Sequence, residues 1–142
     1  MTAPSPGARG GGSTDAEHPL VLIVDDNEKN LKLARDVLRA GGFRTLEAAS
    51  GAAGIALASE HLPDVILMDL RLPDMDGTDA TRRLAERAET APIPVVALSA
   101  YSLEEGGGDW LLAAGFAGYV EKPISVGGFP DVVRSYCTRV KP

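Results

Sequence analysis

Cysteine is nearly missing from this 142-residue chain: Cys137 is the only one, so no internal disulfide can form and a reducing compartment suits the protein better than a secreted one. Its expected role is that of a small buried hydrophobe rather than a reactive thiol. Basic residues are also in deficit. Lys and Arg total 14 against 20 Asp and Glu, and the formal charge of -6 argues against a phosphate-backbone footprint. No apolar run approaches the roughly 20 residues a membrane-spanning helix needs, and the N-terminus lacks the basic-then-apolar order of a signal peptide. These absences predict a cytoplasmic protein with neither a direct nucleic-acid partner nor membrane insertion. Large apolar side chains are scarce in the opening segment, MTAPSPGARGGGSTDAEH, which is rich in Pro, Gly, Ser and Thr. Such a segment cannot bury enough surface to offset its ordering entropy, and a disordered tail is expected over residues 1–18. Residues 19–142 are enough for one domain whose core needs no staples.

From Pro19 onward, strand-like and helix-like patterns alternate. Leu20 to Val24 is a short β-branched run of the kind buried on both faces of a sheet. Asn27 to Ala40 carries Leu31, Ala34 and Leu38 at helical spacing, and Gly41-Gly42 is a helix stop. Phe43 to Ala48 suits a strand nearer an edge. Ser50 is a plausible N-cap for a small-residue helix to about Glu60, closed by Pro63. The rhythm repeats with a strand over Val65–Met68, a helix from Gly77 or Thr78 to about Ala88, and a strand over Ile93–Leu98. A helix around Trp110–Ala114, a strand from Gly118 to near Lys122 and a last helix over Phe129–Tyr136 complete it. Five strands alternating with five helices predict an α/β fold, a parallel sheet covered on both faces by right-handed crossovers.

In an open parallel sheet the ligand crevice lies outside the carboxyl ends of the strands. Asp25 and Asp26 follow the first strand, Asp69 the third, Ser99 the fourth and Lys122 the fifth. Three carboxylates, a hydroxyl and an ammonium are thereby delivered to one rim. Crowded carboxylates repel and need a cation, and hard oxygen ligands of this kind suit Mg²⁺. Lys122 supplies a point charge for phosphate, and Ser99 a hydroxyl donor. The set matches phosphoryl transfer, with Asp69 as a nucleophile that forms an acyl phosphate. Pro73, Asp74 and Gly77 are turn formers, and Asp74 and Asp76 read as turn or cap residues rather than metal ligands.

The motifs LIVDDN (Leu22 to Asn27), ILMDLRLPDMDG (Ile66 to Gly77), VVALSA (Val95 to Ala100) and GYVEKP (Gly118 to Pro123) resemble those of the receiver domains of two-component response regulators. The resemblance runs from about Leu20 to Tyr136. It implies a flavodoxin-like sheet of strand order 2-1-3-4-5. It further implies that Asp69 accepts a phosphoryl group from a phosphohistidine, with Asp25, Asp26, Asp69 and the backbone carbonyl of Arg71 around Mg²⁺. Ser99 would be the switch hydroxyl, Lys122 the phosphate-binding lysine and Tyr119 the switch aromatic, and the Lys122-Pro123 bond would be cis. The implied partners are a histidine kinase or histidine phosphotransfer domain and a downstream protein that meets helix four, strand five and helix five.

Gly106-Gly107-Gly108 departs from a regular fourth helix, because glycine in a helix interior costs roughly 1 kcal/mol relative to alanine. A short helix beginning near Asp109 is expected. Gly127-Gly128 similarly weakens the start of the fifth helix, where Pro130 fits a first turn. With no effector region expected after the fifth helix, output would be protein contact or phosphorelay. Two other readings stay open: a pseudo-receiver adaptor that binds partners without phosphate, and a haloacid-dehalogenase-type enzyme. The latter expects an acid two residues after the nucleophile, where this chain has Arg71.

Overall fold

The computed structural model describes residues 18–99, 107–122, 124 and 127–137. Residues 1–17 of the tail expected over 1–18, the cis bond expected at Pro123, and residues 100–106 lie outside the described residues, whereas His18, the last residue of that expected tail, is held by the domain. The elements in chain order are β1 (Leu20–Val24), α1 (Glu28–Ala40), β2 (Arg44–Ala48), α2 (Gly51–His61) and β3 (Val65–Asp69). They continue as α3 (Gly77–Ala85), β4 (Val95–Ser99), α4 (Gly107–Ala113), β5 (Gly118–Glu121) and α5 (Phe129–Tyr136). The strands form one sheet in the order β2-β1-β3-β4-β5, and every pairing is parallel.

Burial follows that order. β1, β3 and β4 are almost wholly buried, whereas β2 and β5, the two edges, are only partly covered. Alternate residues of the central strands feed two separate cores. Val21, Ile23 and Leu67 pack with Leu31, Leu38 and Val133 of α1 and α5. Leu22, Ile66 and Met68 pack with Ile55, Leu84 and Leu111 of α2, α3 and α4. A period of two along each strand thus serves both faces, and the apolar runs read as continuous because neither face meets water.

The caps explain where the helices start. Asn27 accepts hydrogen bonds from the Lys29 and Asn30 N–H groups at 2.9 and 3.1 Å, and Ser50 Oγ accepts from Ala53 N–H at 3.1 Å. α1 stops at Gly41, and Gly42 takes a φ of +95° that disfavours any side chain. Upstream of β1, His18 Nδ1 lies 2.9 Å from the Gly42 carbonyl oxygen, and the His18 carbonyl accepts from Arg44 Nε at 2.9 Å.

Two helix limits differ from expectation. α3 ends at Ala85 rather than near Ala88, because buried Thr90 donates its hydroxyl to the Leu84 carbonyl at 2.6 Å and draws the chain into successive turns. α4 begins at Gly107, two residues before Asp109. Gly107 and Gly108 occupy the first turn, outside the helix interior for which the full glycine cost is measured.

Candidate phosphoryl-acceptor site

The parallel sheet brings the carboxyl ends of β1, β3, β4 and β5 to one edge, and the chemistry collects there. Asp25 leaves β1 fully buried, its N–H bonded to the Ala48 carbonyl at 3.0 Å. Its Oδ1 accepts from Asn27 N–H at 2.9 Å, an Asx turn that leads directly into the cap of α1. Asp69 ends β3 and accepts from Arg71 N–H at 3.2 Å. Asp26 is exposed beside them. One carboxylate oxygen from each of Asp25, Asp26 and Asp69 lies within 4.8 Å of the others.

Lys122 is the counter-ion. Its Nζ lies 2.9 Å from Asp25 Oδ2 and 3.2 Å from Asp69 Oδ2, with all three side chains largely shielded from water. Its own N–H donates to the Ser99 carbonyl at 2.7 Å, so the end of β4 anchors the lysine's backbone. One ammonium shared by two carboxylates does not neutralise the group. Partial burial and the charge of Asp25 raise the Asp69 carboxyl above its ordinary range, against the pull of Arg71 N–H and Lys122. Burial alone would lower the Lys122 ammonium, but Asp25 and Asp69 outweigh it and raise it. A cavity edge with surplus negative charge and hard oxygen donors is chemically fitted to a divalent cation.

Ser99 is buried at the end of β4, in register with Glu121 on β5. Tyr119 lies two residues earlier on β5, opposite Ala97, and is 40% exposed. Arg71 is exposed and pairs its backbone with Asp76 in an isolated antiparallel bridge. Asp74 is a cap, as expected of it, but for a distant helix: Oδ1 and Oδ2 accept from Gly51 and Ala52 N–H at 2.8 and 2.9 Å. Those hydrogen bonds hold its carboxyl below the ordinary value. No local spacing announces a cap that reaches across 23 residues.

The family model of the response regulator receiver domain matches residues 21–134. The chain belongs to this family. It is 41% identical over 116 residues to the polar-differentiation response regulator DivK of Brucella ovis, a match covering 82% of this chain and 94% of that one. Among solved structures it is similar to the receiver domain of sensor histidine kinase PA1611 from Pseudomonas aeruginosa, described with a magnesium ion coordinated in the active-site cleft. That likeness has 30% identity and a TM-score of 0.74, covering 84% of this chain and 97% of that one. Chemotaxis protein CheY4 of Vibrio cholerae shares the fold, with a TM-score of 0.77 at 23% identity over 84% of this chain and 98% of that one. The expected strand order and receiver architecture are both present, and the chain is a signalling domain of two-component systems rather than a conventional enzyme. No helix among the described residues is long and apolar enough to cross a membrane.

Proposed function

We propose that this receiver takes a phosphoryl group onto Asp69 from a phosphohistidine of a histidine kinase or phosphotransfer domain in the cytoplasm. The observation that carries the reading is the position of Lys122 Nζ between the carboxylates of Asp25 and Asp69. An Asp69 oxygen attacks phosphorus as the bond from phosphorus to the donor imidazole breaks, the electron pair staying on that ring nitrogen; with the ring's other nitrogen protonated, the products are an acyl phosphate and a neutral imidazole. Asp25, Asp26, Asp69 and the Arg71 carbonyl would hold Mg²⁺, which offsets charge on the transferring group. Lys122 is placed to shift from pairing Asp69 to pairing a phosphoryl oxygen, and the Ser99 hydroxyl takes another.

Output is assigned to contact with a protein target or relay partner. Four of the five large exposed hydrophobics among the described residues, Trp110, Leu112, Tyr119 and Val132, lie on α4, β5 and α5. A groove of about 460 Å³ there is lined by Tyr119, Phe129 and Val132 and also by Lys122, so the phosphate-facing lysine borders the surface that would change. Tyr119 and Ser99 are the proposed switch pair.

The test is intact-mass analysis after incubation with Mg²⁺ and a small acyl phosphate. A phosphate-sized gain in the native chain, absent in Asp69→Asn, supports the reading. Equal gain in both places the acceptor elsewhere, and no gain together with no beryllofluoride binding favours an adaptor that works without phosphate.

A further inference from the structure

The loop leaving Asp69 is closed on itself and then fastened to a helix it does not belong to. Gly77 N–H donates to the Leu70 carbonyl at 2.8 Å, and Arg71 bridges Asp76, so residues 70–77 form a small self-bonded loop. Leu70 and Leu72 at its start pack against the core, and two contacts from its middle reach α2. Asp74 takes the first two N–H groups of α2, and Met75 covers Gly51 so closely that a Cβ there would come within 2.5 Å of Met75 Cγ. α2 is itself seated on the sheet through Ile55 and Ala58, while Gly54 packs against Val24. The middle of the loop is therefore tied to the core by way of α2, and Asp74 makes the polar part of that joint.

We propose that Asp74 is a positioning residue for the divalent-cation site: by gripping the start of α2 it fixes the loop that carries the Arg71 carbonyl, and so couples α2 to cation binding. The inference rests on the reading that Asp25, Asp26, Asp69 and Arg71 hold Mg²⁺. A carboxylate suits the joint because both of its oxygens accept, one for each N–H. Asparagine keeps the size but offers one oxygen and sets its amide N–H₂ against the second donor. The coupling is reciprocal: cation binding that steadies the loop must also steady the first turn of α2.

Ser50 supplies the control. Its Oγ caps the same helix start through Ala53 N–H but makes no bond to the loop. The experiment is calorimetric titration of Mg²⁺ into the full chain as wild type, Asp74→Ala, Asp74→Asn and Ser50→Ala, paired with amide exchange at Gly51 and Ala52. Asp74→Ala should weaken Mg²⁺ binding roughly tenfold, the scale of outer-shell partners of a metal site. Asp74→Asn should weaken it in the same direction and carries the test if the alanine variant does not fold. Ser50→Ala should stay within about twofold of wild type, since only the helix start is loosened. Mg²⁺ should slow exchange of the Gly51 and Ala52 amides in wild type and leave them unchanged in the Asp74 variants. Equal affinities in wild type and both Asp74 variants overturn the proposal, as does an equal loss in Ser50→Ala or amides that ignore Mg²⁺ in the wild type. If the wild-type chain binds no Mg²⁺, the reading of the site itself falls and the proposal falls with it.

Discussion

Gly77 faces the carbonyl oxygen of Asp69 so closely that no Cβ fits between them, and a built one would also lie 3.0 Å from Leu70 Cα. Both obstacles are backbone, which cannot swing aside. Gly77→Ala should therefore destabilise the protein by about 1–3 kcal/mol, the usual scale of overpacking. Urea unfolding at constant m-value measures the loss, and an unchanged midpoint would show that β3 and α3 can separate freely.

Arg134 joins α5 to α1. Its Nη2 donates to the Gly41 carbonyl at 2.7 Å, and its guanidinium lies 4.5 Å from the centre of the Phe43 ring. Arg134→Ala should cost about 1–2 kcal/mol through both contacts. Arg134→Lys should recover only part, since an ammonium cannot lie flat on the ring and reach the carbonyl together. A double-mutant cycle with Phe43→Leu separates the two contributions.

The Asp69 carboxyl titrates above its ordinary value because burial and Asp25 oppose its charge. A carboxyl raised in the folded state costs stability once ionised, so its contribution worsens as pH climbs through the unfolded and then the folded value. Asp69→Asn should raise the melting temperature of the metal-free protein at neutral pH, with the gain shrinking as acid protonates wild-type Asp69. A melting temperature lowered by the substitution would mean that the pair with Lys122 outweighs both opposing effects.

Asp74 shows the opposite sign. Its carboxyl is depressed by Ala52 and Gly51 N–H, so it stabilises the fold above the ordinary carboxylate value of about 3.9 and loses that contribution as pH falls through the lower folded value. The stability difference between wild type and Asp74→Ala should be flat near neutrality and narrow in acid, which denaturation at a series of pH values measures.

Cys137 is buried, and its thiol is pushed up to about 11, chiefly by burial and secondarily by the charge of Asp64. Thiolate is the reacting form, so at pH 8 alkylation should run on the order of 100-fold slower than for a free cysteine. Iodoacetamide labelling in the native and urea-unfolded protein checks this. Equal rates would place the thiol in water.

The βα order, the buried central strands and the rim residues were legible because each is written locally. An apolar run of strand length ends in Asp25, Asp69 or Ser99, and Asn27 and Ser50 cap the helices that follow them in sequence. Thr90, which turns the chain back after α3, and the reach of Asp74 to α2 were not legible, because each partner is fixed by the tertiary path rather than by spacing. Arg134 gave no signal either. A basic residue in the last turn of a helix reads as a solvated end, and only the packing of α5 on α1 sets it over Phe43.

The pairing of Lys122 with Asp25 joins positions 97 residues apart, 122 less 25, and β5 is the last of the sheet's five strands to leave the ribosome. Asp25, Asp26 and Asp69 can gather on a nascent sheet of β2, β1 and β3 well before their ammonium has been synthesised. Late arrival of the counter-ion leaves the growing chain with uncompensated acids at the sheet rim, and contacts so distant in sequence form slowly. The lysine that completes the charged centre and the strand that closes the β4 side of the sheet are thus neighbours in the chain. A nascent receiver stalled short of that strand would carry the acceptor aspartate without the cation that steadies it.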